Sequence, residues 1–175
     1  FSILWGLLLC FPVLASVDKI KDEEIAILVI IVLAEISLII AAIKKTIEWS
    51  YYGATPVTLS PFPGSIGGDV GGTITINRVL SQQAQFEVIL SCMYSNAGNN
   101  RSSHPEVRWQ KSQMVLSQNE LSHTTINFKI PIPEKQPASG STDDRGFYHW
   151  NLVIRSLTTT VKLKRSYNIP VYKLE

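Results

Sequence analysis

The chain has 175 residues, of which 45% are hydrophobic and only 17% are charged, and its formal net charge is +2. A soluble domain of this size usually carries about 25% charged residues. The shortage is local, because residues 1–43 contain 2 basic and 5 acidic residues, whereas residues 44–175 contain 14 basic and 9 acidic residues. This composition excludes a disordered chain, a disulfide-rich scaffold, a coiled coil and a wholly soluble protein.

The first predicted element is an uncharged segment over residues 1–16 (FSILWGLLLCFPVLAS). As a helix it would be about 24 Å long, which is shorter than the roughly 30 Å hydrocarbon core of a bilayer. We favour a truncated transmembrane helix whose first residues lie upstream. The alternative is the core of a signal peptide, because Val13-Leu14-Ala15 places small residues where signal peptidase accepts them. A short polar loop follows over residues 17–24.

The second predicted element is a transmembrane helix over residues 25–43, which carries a single charge at Glu35. Its length corresponds to about 28 Å of helix, close to the thickness of the hydrocarbon core. A carboxylate at the centre of such a helix costs roughly 2.5–3.5 kcal/mol, so these groups usually face protein. We therefore predict that Glu35 contacts a neighbouring helix or subunit, in preference to a proton or ion relay.

A predicted juxtamembrane linker over residues 44–52 contains Lys44, Lys45, Trp49, Tyr51 and Tyr52. Lysines and amphipathic aromatic rings at the end of an apolar span are typical of headgroup depth. The two lysines of the loop before the span balance the two lysines after it. The acids beside the loop lysines and the basic remainder of the chain favour a cytoplasmic C-terminal domain in an integral membrane protein.

From Gly53 onward the sequence alternates apolar and polar residues between Pro- and Gly-rich turns, and no segment keeps a helical period. The prediction is an all-β antiparallel sandwich over residues 53–175, of immunoglobulin-like or arrestin-like type, with about seven strands. Turn clusters are predicted over residues 95–104 and 135–146. The predicted strands cover residues 55–60, 73–80, 85–94, 106–116, 124–132, 147–156 and 159–172.

A family resemblance rests on LSPFPGSIGGDVGG at 59–72, FEVILSC at 86–92, WQ at 109–110, YHWNL at 148–152 and YNIPVY at 167–172. In these segments the chain resembles a family of bacterial membrane proteins of unknown function that pair two N-terminal transmembrane helices with a β-rich domain. The resemblance implies a bacterial inner-membrane location and the architecture described above. It implies no activity.

A second resemblance covers residues 124–172 only. FKIP at 128–131, followed by a Pro-containing loop and an aromatic-rich strand, is similar to arrestin-like sandwiches. Because one fold serves many functions, this resemblance implies an architecture and nothing about chemistry.

No catalytic, metal-binding or cofactor-binding motif is recognisable. Five of the ten glycines lie between Gly64 and Gly72, but this run leads into a strand, which favours a bulged turn or a close backbone contact over a phosphate-binding loop. The histidines lack metal-ligand spacing, and Cys10 and Cys92 lie in different predicted regions, which fits a reducing compartment. We expect no cofactor, no metal and no nucleic-acid partner.

The basic cluster Lys162, Lys164 and Arg165 has two interpretations. It could contact anionic headgroups, or it could make an edge strand soluble, and we favour the edge strand. Concentrated polar residues occur in the two turn clusters, where an enzyme site of unrecognised type could form. These residues are Asn99, Asn100, Arg101, His104, Asp143, Asp144 and Arg145.

Three hypotheses of function follow. The leading one is a non-catalytic, membrane-anchored β-sandwich that acts as an adaptor for a protein partner or a second copy of itself. The alternative is an accessory subunit of a membrane complex, assembled through the transmembrane helix and Glu35. The least favoured is a hydrolase with a site in the polar loops, because such residues are common in solvated turns.

Overall fold

The computed structural model describes residues 22–80, 83–96, 105–143 and 146–173. The chain divides into two compact units whose boundary lies between Thr46 and Ile47. The predicted first span and the polar loop that follows it lie outside the described residues, apart from the last residues of the loop.

The first unit contributes most of a single long helix, α1, which runs from Asp22 to Tyr52. The segment contains no glycine or proline, so nothing in it interrupts the helical hydrogen bonds. Its apolar side chains are exposed, with Ile30 at 66% and Leu38 at 69%. Within the described residues this is the one helix long and apolar enough to cross a membrane, over Ile27–Tyr52.

The helix continues through residues 44–52, which the sequence analysis treated as a linker. It ends only at Gly53, whose φ of 62° is the left-handed conformation that glycine adopts without strain. The Gly53 N–H donates a hydrogen bond to the Trp49 carbonyl at 2.8 Å, which closes the last turn. The final six helical residues, from Ile47 to Tyr52, belong to the second unit.

The second unit is rich in strands, nearly all of them antiparallel. One sheet has the order β1-β3-β7-β6, a second has the order β10-β9-β4-β5 with β8 beside β9, and β11 pairs in parallel with β2. The strands are β1 Val57–Leu59, β2 Gly64–Ser65, β3 Asp69–Ile76, β4 Gln85–Asn96, β5 Glu106–Leu116, β6 Gln118–Asn119, β7 Thr124–Pro131, β8 Thr142–Asp143, β9 Gly146–Ser156, β10 Lys164–Ile169 and β11 Val171–Tyr172.

The described residues thus form eleven strands where the sequence predicted about seven. The additional strands, β2, β6, β8 and β11, have two residues each. β11 is the end of the strand predicted over residues 159–172, which Pro170 divides into β10 and β11. The other three lie outside the predicted strands, because a two-residue strand is too short to show alternating hydrophobicity. The seven longer strands all overlap predicted ones, although β3 begins inside the glycine run at Asp69.

Alternating residues of the two large sheets form one hydrophobic core. β7 buries every second side chain from Ile126 to Ile130 and β9 does so from Trp150 to Ser156, as expected for sheets that face each other and present their other faces to solvent. The fully buried members include Val70, Ile74, Phe86, Val88, Leu90, Ile126, Trp150, Leu152 and Ile154.

The glycine run gives β3 room to lie close to β1. A Cβ atom built on Gly72 would lie 2.3 Å from the Thr58 carbonyl oxygen, and one built on Gly71 would lie 2.8 Å from the Ser60 oxygen. Gly67, which precedes β3, has a φ of 77°. The glycines therefore serve a tight turn and a close strand contact, both of which are structural roles.

Candidate functional site

The end of α1 covers part of β10, an edge strand of the β10-β9-β4-β5 sheet. Arg165 of β10 forms an ion pair with Glu48, and the two side chains are only 13% and 12% exposed. The Lys164 backbone N–H donates to the Glu48 Oε1 atom at 3.4 Å. The last helical turns therefore supply an acceptor to an edge whose N–H groups would otherwise face solvent.

The Arg165 guanidinium has one further contact with the helix. Its Cζ atom lies 5.3 Å from the centre of the Trp49 ring, within the range of a cation–π interaction. Its Nη2 atom is buried and has no hydrogen-bond partner among the described residues. The pair with Glu48 is thus only partly compensated, because a buried polar atom without a partner lowers stability.

Tyr51 and Tyr52 hold the helix end against the strands. Tyr52 is 1% exposed, belongs to the hydrophobic core, and donates a hydrogen bond from its hydroxyl to the Val161 carbonyl. The Arg78 Cζ atom lies 4.1 Å from the centre of the Tyr51 ring. Both rings are predicted from the sequence to lie at the membrane surface. Tyr52 is instead a core residue, because the helix continues to this point and its last residue points inward.

A third tyrosine fixes the chain that follows the helix. The Tyr167 hydroxyl donates to the Thr55 carbonyl at 2.6 Å and lies 2.8 Å from the Thr55 hydroxyl. Burial raises the pKa of Tyr167, while the hydrogen bond with Thr55 acts in the opposite direction. This phenol therefore stays neutral at physiological pH and has a structural role.

Most of the other residues predicted to contact a membrane surface are solvent-accessible, whereas Arg165 is largely covered by its pair with Glu48. Lys44, Lys45, Lys162 and Lys164 are exposed, and Trp49 is 59% exposed. Of all the predicted surface residues, the structure brings Trp49, Lys164 and Arg165 together around Glu48. The Lys162 Nζ atom donates to the Leu157 carbonyl at 2.9 Å.

Glu35 lies on α1 within the first unit. Its side chain is half-buried, and it takes part in an interaction within the chain.

The opposite edge of the same sheet is β5, whose outward backbone groups can be assigned from its neighbour. The Gln85 carbonyl accepts from the Leu157 N–H at 2.8 Å, so the backbone groups of Gln85 point away from β5. Because these groups alternate along an antiparallel strand, those of Phe86, Val88 and Leu90 point toward β5. Their partners there are Val115, Gln113 and Lys111.

It follows that the backbone groups of Ser112, Met114 and Leu116 point out of the sheet. Neither their N–H nor their C=O groups have a hydrogen-bond partner in the part of the chain that the structure describes. The side chains of Met114 and Leu116 are 66% and 56% exposed. The second half of β5 is therefore an open edge with apolar side chains, and we call residues 112–116 the open edge.

The first half of β5 carries two features that natural proteins use to block edge pairing. A β-bulge occurs between Cys92 and Met93, where Arg108 is the extra residue on β5. Lys111 pairs with Leu90, so its side chain starts toward the inner face of the sheet while remaining exposed. No such feature occurs between Ser112 and Leu116.

A cavity of about 260 Å³ is present in the second unit. It is lined by Tyr51, Leu80, Gln83, Ala84, Thr158, Thr159 and Thr160. These described lining residues include no acid, histidine or cysteine, so they provide neither a metal site nor an acid–base pair.

The polar residues proposed for an enzyme site cannot be compared with the structure. Asn99, Asn100, Arg101, His104, Asp144 and Arg145 lie outside the described residues, and Asp143 is placed only as a strand residue of β8. Among the residues that are described, no group of three histidine, cysteine, aspartate or glutamate side chains could hold a metal.

Cys92 lies on β4 with its side chain in the core and is fully buried. Burial raises the pKa of its thiol to about 11, so the thiol is protonated at neutral pH and is a poor nucleophile.

Comparison with known proteins gives one distant structural relative to report. No known protein family matches the chain, and no curated protein matches it. The sporulation control protein Spo0M of Bacillus subtilis superimposes with a TM-score of 0.43 at 13% identity. The superposition covers 69% of this chain and 49% of Spo0M. This chain therefore matches about half of the length of that protein, and the comparison assigns no function to it.

Neither Glu48 nor the open edge is indicated by the sequence. Glu48 contacts a residue 117 positions later, and no local pattern indicates such a pairing. The alternation of β5 did indicate a strand, but the order of strands within a sheet, which makes β5 an edge, is not visible in the sequence.

Proposed function

We propose that this protein is a non-catalytic, membrane-anchored β-sandwich that binds a protein partner. The single observation that carries the proposal is the combination of a long helix with exposed apolar side chains and a strand-rich unit whose main sheet has one open edge. The helix supplies the anchor and the edge supplies the binding surface.

The anchoring part follows from side-chain energetics. Residues 25–43 contain thirteen Ile, Leu and Val residues, each of which favours membrane insertion by roughly 0.3–0.6 kcal/mol. Their sum exceeds the roughly 2.5–3.5 kcal/mol cost of Glu35. In water the same side chains would be exposed, with Leu33 at 60% and Ile27 at 58%. A bilayer therefore suits this helix better than water.

The binding part follows from the strand-rich unit. The ion pair of Glu48 with Arg165 and the burial of Tyr52 make the end of α1 part of the core of that unit. The strand-rich unit also carries an exposed, apolar strand edge, which is the kind of surface an adaptor uses to bind another protein. We further propose that this unit lies in the cytoplasm of a bacterial cell.

The test has two parts and uses the full-length chain with a C-terminal tag. Extraction of membranes at alkaline pH should leave the protein in the pellet, which tests the anchor. A photo-crosslinking residue is then placed at Gln110 on the β5 edge, at Ser166 on the β10 edge, or at Asn127 on the outer face of the other sheet. A discrete adduct with another protein from at least one of these positions is expected. Release of the protein from the membrane, or a lack of adducts at all three positions, would contradict the proposal.

A further inference from the structure

We propose that the open edge adds a segment of the partner protein as an extra β-strand, and that this segment carries an acidic residue that pairs with Lys111. The inference rests on the proposed function, because it names the surface through which the partner is bound and the chemistry of the bound segment.

The backbone of the open edge provides the hydrogen bonds. Ser112, Met114 and Leu116 direct both of their backbone groups out of the sheet, which gives three donors and three acceptors in a row. An extended segment can pair with all of them, as in other complexes formed by strand addition. Such bonds need no particular side chain, so they explain affinity but not specificity.

The strand is already held in the conformation that pairing requires. The Gln113 side-chain oxygen accepts a hydrogen bond from the Lys129 backbone N–H of β7 at 3.1 Å. Gln113 also pairs with Val88 of β4, so it is fixed on two sides. A partner segment would therefore bind an ordered strand, which reduces the entropy lost on binding.

Two side chains of the open edge provide an apolar contact. Met114 and Leu116 are two residues apart on β5, so both lie on the outer face of the sheet. Gln85 Nε2 lies 3.6 Å from the Met114 sulfur, and this contact fixes one side of the thioether only. Apolar residues at alternate positions of the added strand would pack against Met114 and Leu116 as cross-strand neighbours.

The positive charge of Lys111 indicates which kind of segment can pair with the open edge. Lys129 pairs with Asp69 at 3.1 Å and Arg108 pairs with Glu106 at 3.2 Å, both near this side of the unit. No carboxylate of the described residues pairs with Lys111, although it is exposed next to the open edge. An inward-pointing lysine on an edge strand opposes pairing with a strand that brings no compensating charge. A segment with an aspartate or glutamate beside Lys111 removes this penalty.

The same charge argues against a second copy of this chain as the occupant. Antiparallel self-pairing centred on Ser112 would place Lys111 opposite Gln113 of the copy, and pairing centred on Gln113 would place it opposite Val115. Neither residue is acidic. The occupant that fits is therefore an acidic, alternately apolar segment of another protein.

The experiment uses the full-length protein in lipid nanodiscs and a displayed library of random 12-residue peptides. Peptides that bind are synthesised with a fluorophore, and their affinities are measured by fluorescence anisotropy. We expect enrichment of peptides in which an acidic residue stands next to alternating apolar residues. Lys111→Glu should weaken their binding at least tenfold, and replacing the peptide's acid with lysine should restore it.

The backbone contribution is tested with a matched pair at one position. Ser112→Pro removes an outward N–H and obstructs an added strand, and the edge position tolerates proline. We expect it to weaken peptide binding at least tenfold, whereas Ser112→Ala should change binding less than twofold. Should Ser112→Pro fail to fold, Met114→Pro gives the same test, because it removes the next outward N–H of the open edge and its side chain is exposed.

Three results would overturn the inference. One is a library selection that yields no peptide. Another is a set of peptides whose affinity is the same for the unchanged protein and for both the Lys111→Glu and the Ser112→Pro variants. The third is a change from dimer to monomer on Ser112→Pro, which would mean that a second copy occupies the edge. If crosslinks to a partner arise at Ser166 or Asn127 but not at Gln110, the proposed function stands and this inference is wrong.

Discussion

The two edge strands of the β10-β9-β4-β5 sheet differ in how far their outward backbone groups are covered by the rest of the strand-rich unit. β10 has six residues and carries Lys164 and Arg165. Its Lys164 N–H donates a hydrogen bond to Glu48 at the end of α1, and its Arg165 forms an ion pair with the same carboxylate. β5 has eleven residues and is blocked by a bulge and a lysine only in its first half. The chain thus closes one edge with its own helix and leaves the other available.

The proposed binding surface rests on this difference between the two edges. Edge strands that stay open and apolar carry a risk of aggregation, so proteins usually shorten, charge or cover them. The β10 edge follows this rule, and so do β1 and β6 in the other sheet, with three and two residues. The open edge departs from it. An exception confined to five residues at one edge is best explained by a use for that edge.

The largest effect is expected where α1 closes the sheet. Tyr52→Ala removes a ring that is 1% exposed and leaves a cavity in the core, so we expect the free energy of unfolding of the strand-rich unit to fall by about 3–5 kcal/mol. Tyr52→Phe removes only the hydrogen bond to Val161 and should cost about 1 kcal/mol. Urea unfolding followed by tryptophan fluorescence, in detergent micelles, measures both. A loss below about 1 kcal/mol for Tyr52→Ala would mean that the helix end is not part of the core.

The ion pair on the same edge should have a smaller effect. Arg165→Met removes the ion-pair partner of the nearly buried Glu48 carboxylate, and we expect it to lower the free energy of unfolding by about 2 kcal/mol. The double variant Glu48→Met/Arg165→Met should be less destabilised than Arg165→Met alone, because it removes both charges and the unsatisfied Nη2 atom.

The same urea experiment, applied to all four members of this double-mutant cycle, gives the coupling energy. A coupling near zero would show that the two side chains act independently. The closure of β10 would then depend on Tyr52 and its neighbours rather than on charge.

Much of the strand content could be predicted because burial on one face produces a period of two. In β4 the residues Phe86, Val88 and Leu90 are buried, and in β7 the residues Ile126 and Phe128 are buried, which is the alternation that the sequence displays. The short strands β2, β6, β8 and β11 form where the chain passes another strand, and no side-chain pattern is needed for that.

The candidate site could not be predicted, since it depends on which elements become neighbours. Tyr52 follows an apolar helix, and an aromatic residue in that place is typical of a membrane interface. Its burial depends on the helix continuing to Gly53 and on contact with Val161, more than 100 positions later. The open edge likewise follows from the spatial order of four strands. Local sequence fixes a strand and its two faces, but not its place in the sheet.

The smallest predicted effect tests whether the open edge is a stable strand. Cys92 pairs with Trp109 of β5 on one side and with Trp150 of β9 on the other, so opening of β5 would expose its thiol on the β5 side. Burial raises the pKa of this thiol from 9.0 to about 11. The stability that this shift contributes is present below pH 9 and is lost as the pH rises toward 11, because the unfolded chain then releases the proton more readily than the folded one.

In a Cys10→Ser background, the free energy of unfolding should therefore fall between pH 8 and pH 10 by about 1 kcal/mol more than it does in the Cys92→Ala variant. The comparison cancels the tyrosines and lysines that titrate in the same range, because both proteins contain them. If the two proteins show the same dependence on pH, the thiol is hydrated in the folded state. β5 would then open too readily to serve as a binding edge. The two edges would then differ in how well their strands are ordered, and not in whether a partner binds to them.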